Sequence, residues 1–318
     1  MSGNEVRPRP WGREPGGVPL DFAIIGAQKA ASTFFQHRLG EHPDITVLPR
    51  ENRSFEDPEY GHAGMAELSR LLAPHVTDVT GLKRPDYLPK HEVPERVARH
   101  VPRIRLLSVL REPVARAVSA YFHLAVFGFV PVMDPSAAMT EILDGRMQRQ
   151  HPKAQEILDY GRYAEQLRRW QGWFSREQFL VLLQEDVARD PTGSIATAVD
   201  FLAVDPSATI PQAQRATNVG VYWAPRVKLS ATRARHYYDY DLGHGKVSPK
   251  KRLGPVDWGI VAGLTAVDKV FLRRLGRDHR PSIDPAVEQR LRDYYAADIR
   301  DLAGLLGRDL QAWQRSSR

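Results

Sequence analysis

Hydrophobic and polar positions alternate in blocks from residue 21 to about residue 203. Two apolar runs are unbroken, Phe22-Ala23-Ile24-Ile25 and Phe179 to Leu183, and a third, Ile104 to Leu110, is interrupted only by Arg105 and Ser108. Runs of this kind form strands buried on both faces. Ile45 to Leu48 and Val76 to Leu82 predict shorter strands. Helices are expected between them at Ala30–Leu39, Met65–Leu72, Val93–His100, Pro113 to about Val126, Ile157–Phe174 and Gly193–Ala203. In the fifth of these, Tyr163, Leu167, Trp170 and Phe174 recur at the helical period. Strands that alternate with helices predict an α/β fold, a central parallel sheet with helices on both faces. Beyond residue 204 the pattern loosens. Gly243–Gly254 reads as a loop, followed by amphipathic helices over Trp258–Leu275 and Val287–Leu306. The organisation expected is a flexible arm over 1–20, then one domain over 21–313, in which 204–280 supplies a lid, acceptor-side loops and a helix.

Composition narrows the function classes. The 318 residues are 42% hydrophobic and 26% charged, ample for a sizeable core. The 45 Lys and Arg exceed the 38 Asp and Glu, giving +7 and suiting an anionic partner. There is no cysteine, which excludes disulfides and thiol chemistry. No apolar run approaches the roughly 18 residues of a membrane span. The first twenty residues, rich in Pro, Gly and Arg, lack the apolar segment of a signal peptide, and a cytoplasmic location is expected.

The chemistry concentrates after the first strand. Gly26 ends the apolar run; Lys29, Ala30, Ala31, Ser32 and Thr33 then lead into Phe34-Phe35. A small-residue turn entering a helix, with one cation and two hydroxyls, makes a P-loop-like anion site, because free backbone N–H groups and the helix dipole point into it. The same residues also serve as ordinary helix caps. A nucleotide-triphosphate loop places its lysine immediately before the hydroxyl residue. Lys29 stands three and four residues ahead, an order that suits contact with a bridging oxygen. Three further candidates fall at strand ends, where an open parallel sheet binds ligands: Glu51, Lys83, and Arg111 with Ser119 eight residues on. An arginine fork and a hydroxyl two helical turns apart suit a second phosphate; the competing reading is a surface pair of Arg111 with Glu112.

The pairing of QKAASTFF with LLSVLREPVARAVSAYFH resembles the sulfotransferases that use 3′-phosphoadenosine 5′-phosphosulfate (PAPS). HPDITVLPRENRSF, GLKRPDYL, VPERV, GRYAEQLRRWQGWF and FLVLLQEDVARDP make the chain most similar to the heparan-sulfate branch and its bacterial relatives, over roughly residues 20 to 313. The resemblance implies a transfer of a sulfuryl group from PAPS to a hydroxyl or amine of a carbohydrate, lipid or small natural-product acceptor, without a metal. It implies Glu51 as general base, Lys29 on the bridging oxygen and leaving phosphate, and Lys83 near the sulfuryl group. Ser32 and Thr33, with the N–H groups of Ala30 and Ala31, would hold the 5′-phosphate, and Arg111 and Ser119 the 3′-phosphate. No nucleic-acid partner is expected.

Three departures from the family pattern stand out. Ala31 replaces the glycine usual in the 5′ loop, and its methyl group calls for a negative φ there. Arg53 stands where the family often has histidine. For the loop that covers the adenosine, the candidate is Gly276-Arg277-Asp278-His279-Arg280. Two other classes stay open: a P-loop kinase using ATP and magnesium, and a non-catalytic polyanion-binding protein that would use the basic stretch around His236, Tyr237, Tyr238 and Tyr240.

Overall fold

Alternation over residues 21–203 is realised as a five-stranded, all-parallel sheet in the order β2-β3-β1-β4-β5. The computed structural model describes residues 17–75, 78–206, 208, 220–241, 246–275 and 281–315. In chain order the elements are β1 (Phe22–Gly26), α1 (Ser32–Leu39), β2 (Ile45–Val47), α2 (His62–Leu72), β3 (Val79–Lys83), α3 (Val93–His100), β4 (Arg105–Leu110), α4 (Pro113–Val126), α5 (Pro135–Leu143), α6 (Arg146–Gln150), α7 (Gln155–Asp159) and α8 (Tyr163–Gln171). They continue with β5 (Phe179–Leu183), α9 (Gln184–Arg189), α10 (Pro191–Phe201), α11 (Ala224–Tyr237), β6 (Tyr238–Asp241), β7 (Lys246–Pro249), α12 (Pro255–Val267) and α13 (Pro285–Leu306). Helices α5, α10 and α13 each open on Asp-Pro. The aspartate accepts from the first turn's N–H groups and the proline occupies a position whose N–H would have no partner.

The chain divides into two units, one of residues 1–112 and 163–216, the other of 113–162 and 217–318. The first holds the sheet. Phe22 and Ile24 of β1, Leu107 and Val109 of β4, Phe35 and Leu39 of α1, and Ile195, Ala198 and Val199 of α10 form one buried cluster. Strand β1 is buried at every position, as its unbroken apolar run requires. Phe22 lies in register with Gly81 of β3, and a Cβ at Gly81 would stand 2.2 Å from the Phe22 ring. The residue must therefore be glycine for β1 and β3 to pair. Strand order reverses at β1, so the carboxyl end of β1 is the topological switch point of the sheet.

Among the described residues of the second unit the regular structure is helical apart from the antiparallel pair β6–β7. That hairpin corrects part of the loop expected over Gly243–Gly254, since Lys246–Pro249 pairs with Tyr238–Asp241. The single helix expected over Ile157–Phe174 is two, α7 and α8. Tyr295 of α13 lies against Gly161, where a Cβ would be 2.8 Å from its ring, and its hydroxyl donates to the Leu158 carbonyl at 3.0 Å. The helix expected over Trp258–Leu275 begins earlier, at Pro255, and passes at Asp268 into a π turn and then a short 3₁₀ turn.

Candidate active site

Four loops leave the carboxyl edge of the sheet in the first unit, and each brings a candidate residue. Backbone bonds fix them: the Ala27 N–H donates to Val109 O at 2.7 Å, Leu48 N–H to Gly81 O at 2.9 Å, and Arg84 N–H to Ile24 O at 3.0 Å. The loop after β1 runs into α1, whose first turn has no side-chain cap. Its leading N–H groups therefore face the loop, as an anion-binding helix start requires. Ala30 and Ser32 are buried, and Lys29, Ala31 and Thr33 are half-buried. Lys29 and Ala31 both adopt positive φ, 67° and 71°. The negative φ expected at Ala31 is thus corrected: the backbone takes the left-handed turn and Ala31 bears the strain. The two left-handed residues also delay the helix, expected from Ala30, until Ser32.

Lys29, Lys83 and Arg111 form a cationic group around this loop. Arg111 Nη1 donates to the Lys29 carbonyl at 3.0 Å, and Tyr163 Oη holds the Arg111 carbonyl at 2.9 Å. Burial lowers the Lys29 pKa, and the charges of Arg111 and Lys83 lower it further. Lys83 is buried at the end of β3, and its Nζ lies 3.0 Å from Thr33 Oγ1 and 3.0 Å from Glu51 Oε1. Glu51, which enters from the loop after β2, is thereby tied to the β1 loop. It does not pair with its sequence neighbours Arg50 and Arg53; its other oxygen, Oε2, accepts from Arg84 Nη1 at 2.7 Å.

Arg84, Glu56 and Asp86 are the residues that the sequence reading passed over. Arg84 is buried, with Glu56 at 2.5 Å, Asp86 at 2.8 Å and Glu51 at 2.7 Å. Burial works against its charge, but Asp86, Glu56 and Glu51 outweigh that and raise its pKa. Asp86 also accepts from Gln28 Nε2 of the β1 loop at 3.2 Å. The signal available beforehand was the Lys83-Arg84 doublet at a strand end followed by Pro85-Asp86. Ser119 belongs to the second unit, buried on α4. Gly276–Arg280 lies outside the described residues. In the second unit His236 pairs with Asp257, Tyr240 Oη donates to the Phe127 carbonyl at 2.6 Å, and Tyr237 and Tyr238 line a cavity of about 250 Å³.

Residues 19–218 match the family profile of the sulfotransferase domain. Among curated proteins, human bifunctional heparan sulfate N-deacetylase/N-sulfotransferase 2 is 25% identical over 243 residues, which is 69% of this chain and 27% of that protein. Human heparan sulfate glucosamine 3-O-sulfotransferase 6 is 29% identical over 183 residues, which is 57% of this chain and 51% of that protein. The matched region thus spans about half of these relatives' length or less. The crystal structure of a sulfotransferase from Alicyclobacillus acidocaldarius has the same fold, with a TM-score of 0.63 at 22% identity, covering 93% of this chain and 99% of that one.

Proposed function

The chain belongs to the sulfotransferase-domain family, and from that premise we propose that it transfers a sulfuryl group from PAPS to a hydroxyl or amine of a carbohydrate acceptor. The observation that carries this reading is the bridge from Thr33 through Lys83 to Glu51, both contacts at 3.0 Å. It ties a carboxylate able to accept a proton to the loop that suits the phosphosulfate. PAPS brings the sulfuryl group and a phosphate leaving group.

The residues present fit that donor. Three cations crowd one loop, and two of them lower the pKa of the third, a charge excess that an anion relieves. Lys29 neutralises charge that grows on the leaving oxygen; such electrostatic stabilisation needs no metal in this set of side chains. The Ala31 N–H, with Ser32 and Thr33, receives the 5′-phosphate; the Ala30 N–H, expected to join it, donates to the Ala27 carbonyl at 3.3 Å. Arg111 serves the 3′-phosphate. Glu51 takes the acceptor's proton, and Lys83 orients it while pointing charge at the sulfuryl oxygens. A carbohydrate is favoured among the acceptor classes because the relatives' names carry heparan sulfate.

Two measurements test the proposal together. Adenosine 3′,5′-bisphosphate should raise the melting temperature more than ATP with magnesium does, by mass action on the folded state. Glu51→Gln should keep that shift and transfer sulfate from labelled PAPS some 10²–10⁴-fold more slowly, the usual worth of a general base. A larger shift with ATP would move the chain to the kinase class; a Glu51→Gln variant as fast as the parent would remove Glu51 from the chemistry.

A further inference from the structure

Helix α12 is apolar on the side where a surface helix should be polar. Its thirteen residues, PVDWGIVAGLTAV, carry one charge, Asp257. Asp257 is half-buried and held by His236 Nδ1 at 2.8 Å and Lys250 Nζ at 2.9 Å. Asp268, at the start of the π turn, is buried against Arg226 Nε at 2.6 Å. The outward positions are Val256, Trp258, Gly259, Ala262, Gly263, Ala266 and Val267, continued by Val270 and Phe271. Val256 is 74% exposed, and Trp258 and Phe271 are each 65% exposed. A Cβ added at Gly259 or Gly263 would meet nothing within 4 Å. An apolar helix face left open in this way marks an interaction surface.

The charges around it identify the partner. Lys251 and Arg252 precede the helix, and Lys269, Arg273 and Arg274 follow it, all exposed. Of the two acidic residues of the 250–275 stretch, Asp268 is buried and Asp257 half-buried, and each is paired with a cationic partner. The outward charge is therefore wholly positive. A second copy is a poor occupant, because a two-fold pairing of this face sets basic ends against basic ends. The helical stretch from Pro255 to Leu275 carries Asp257, Asp268, Lys269, Arg273 and Arg274, and no helix among the described residues is long and apolar enough to cross a bilayer, so it suits lying on one rather than across it. Exposed Trp and Phe between basic ends are the make-up of an interfacial helix.

We propose that α12 and the turn after it dock this protein onto an anionic lipid surface, with Val256, Trp258, Val267, Val270 and Phe271 entering the headgroup boundary and the flanking Lys and Arg meeting the lipid charge. The test is co-sedimentation of the full chain with vesicles of phosphatidylcholine alone and of phosphatidylcholine mixed with phosphatidylglycerol. The parent should pellet with the mixed vesicles, less so at high salt, and its tryptophan emission should shift to the blue. Each basic contact near a charged surface is worth about fivefold in affinity, so Arg273→Glu with Arg274→Glu should weaken binding at least about 25-fold. Trp258→Ser with Phe271→Ser should abolish both pelleting and the emission shift. Because these side chains are exposed, both variants should melt with the parent. Three results would overturn the proposal: no pelleting with mixed vesicles, equal pelleting of parent and variants, or a lipid-free dimer seen by light scattering that the same variants dissolve.

Discussion

Arg84→Met separates the scaffold of the candidate site from its chemistry. The guanidinium faces three carboxylates, and they are left differently when it goes. Glu51, with 39% of its side chain exposed, keeps Lys83 at 3.0 Å. Asp86, 15% exposed, keeps Gln28 at 3.2 Å. Glu56, 3% exposed, keeps only the longer contact to Lys90 at 3.3 Å. The cost therefore falls on Glu56. Removing one partner of a buried pair costs roughly 3–5 kcal/mol, and the remaining lysine places this case near 3 kcal/mol. That loss corresponds to a fall in melting temperature of roughly 4–5 °C for a chain of 318 residues, at about 2.1 cal/mol/K of unfolding entropy per residue. Urea unfolding followed by circular dichroism measures it, and Glu56→Gln in the same background should recover a large part, because the buried charge is then gone. If Arg84→Met does not fold, Arg84→Lys keeps the charge without the fork and should lie between parent and Met variant. A loss below about 1 kcal/mol, or an unchanged loss in the double variant, would refute the argument that Arg84 exists to hold Glu56.

Three further outcomes are expected. Lys29→Met should melt above the parent without ligand, yet bind the bisphosphate more weakly, since it removes a cation that burial, Arg111 and Lys83 all oppose. The folded pKa of Lys29 lies below its unfolded value, so the unfolded chain holds the proton more tightly; the parent therefore gains stability as pH rises through the folded pKa towards 10.5, and the variant should lack that gain in alkaline melting curves. Ala31→Gly should stabilise the protein by about 1 kcal/mol in urea unfolding, because φ 71° strains an alanine and not a glycine; a loss of stability would show that the methyl group packs usefully. Arg111→Ala should weaken bisphosphate binding in titration calorimetry by about 1.5–3 kcal/mol, the worth of a charge-assisted phosphate contact, and unchanged affinity would return Arg111 to a purely structural part.

The sheet was legible because its strands are written in unbroken apolar runs. Phe179–Leu183 matches β5 to the residue, and Ile104–Leu110 is β4 with one residue fewer. The hairpin was not legible: half-buried Tyr238 and Tyr240 alternate with exposed Asp239 and Asp241 in β6, and its partner Lys246–Pro249 falls inside the loop expected over Gly243–Gly254. Nor was the need for glycine at 161, since its cause is Tyr295, more than a hundred residues away. The candidate site divides in the same way. Lys29, Glu51, Lys83 and Arg111 could be found because each follows a strand end. The partner of Glu51 could not, because proximity in sequence favoured Arg50 and Arg53, whereas the fold brings Lys83 and Arg84 from another strand.

That Lys83-Arg84 doublet shows how adjacent cations acquire different tasks. Successive residues leaving a strand point to opposite sides, yet here both reach Glu51, one at each carboxylate oxygen. Arginine carries five N–H donors in a rigid fork, and Arg84 turns its fork to Glu51, Glu56 and Asp86. It can fix the carboxylate's direction but has little capacity for a ligand. Lysine carries three donors on a flexible stem; two of those on Lys83 meet Thr33 and Glu51, and the third can turn to an incoming oxygen without releasing either. Exchanging the two residues would put a fork where one donor must remain available and a point charge where three carboxylates must be held. The swapped variant, Lys83→Arg with Arg84→Lys, keeps the net charge and should lose both the fold's stability at Glu56 and the site's capacity for its anion.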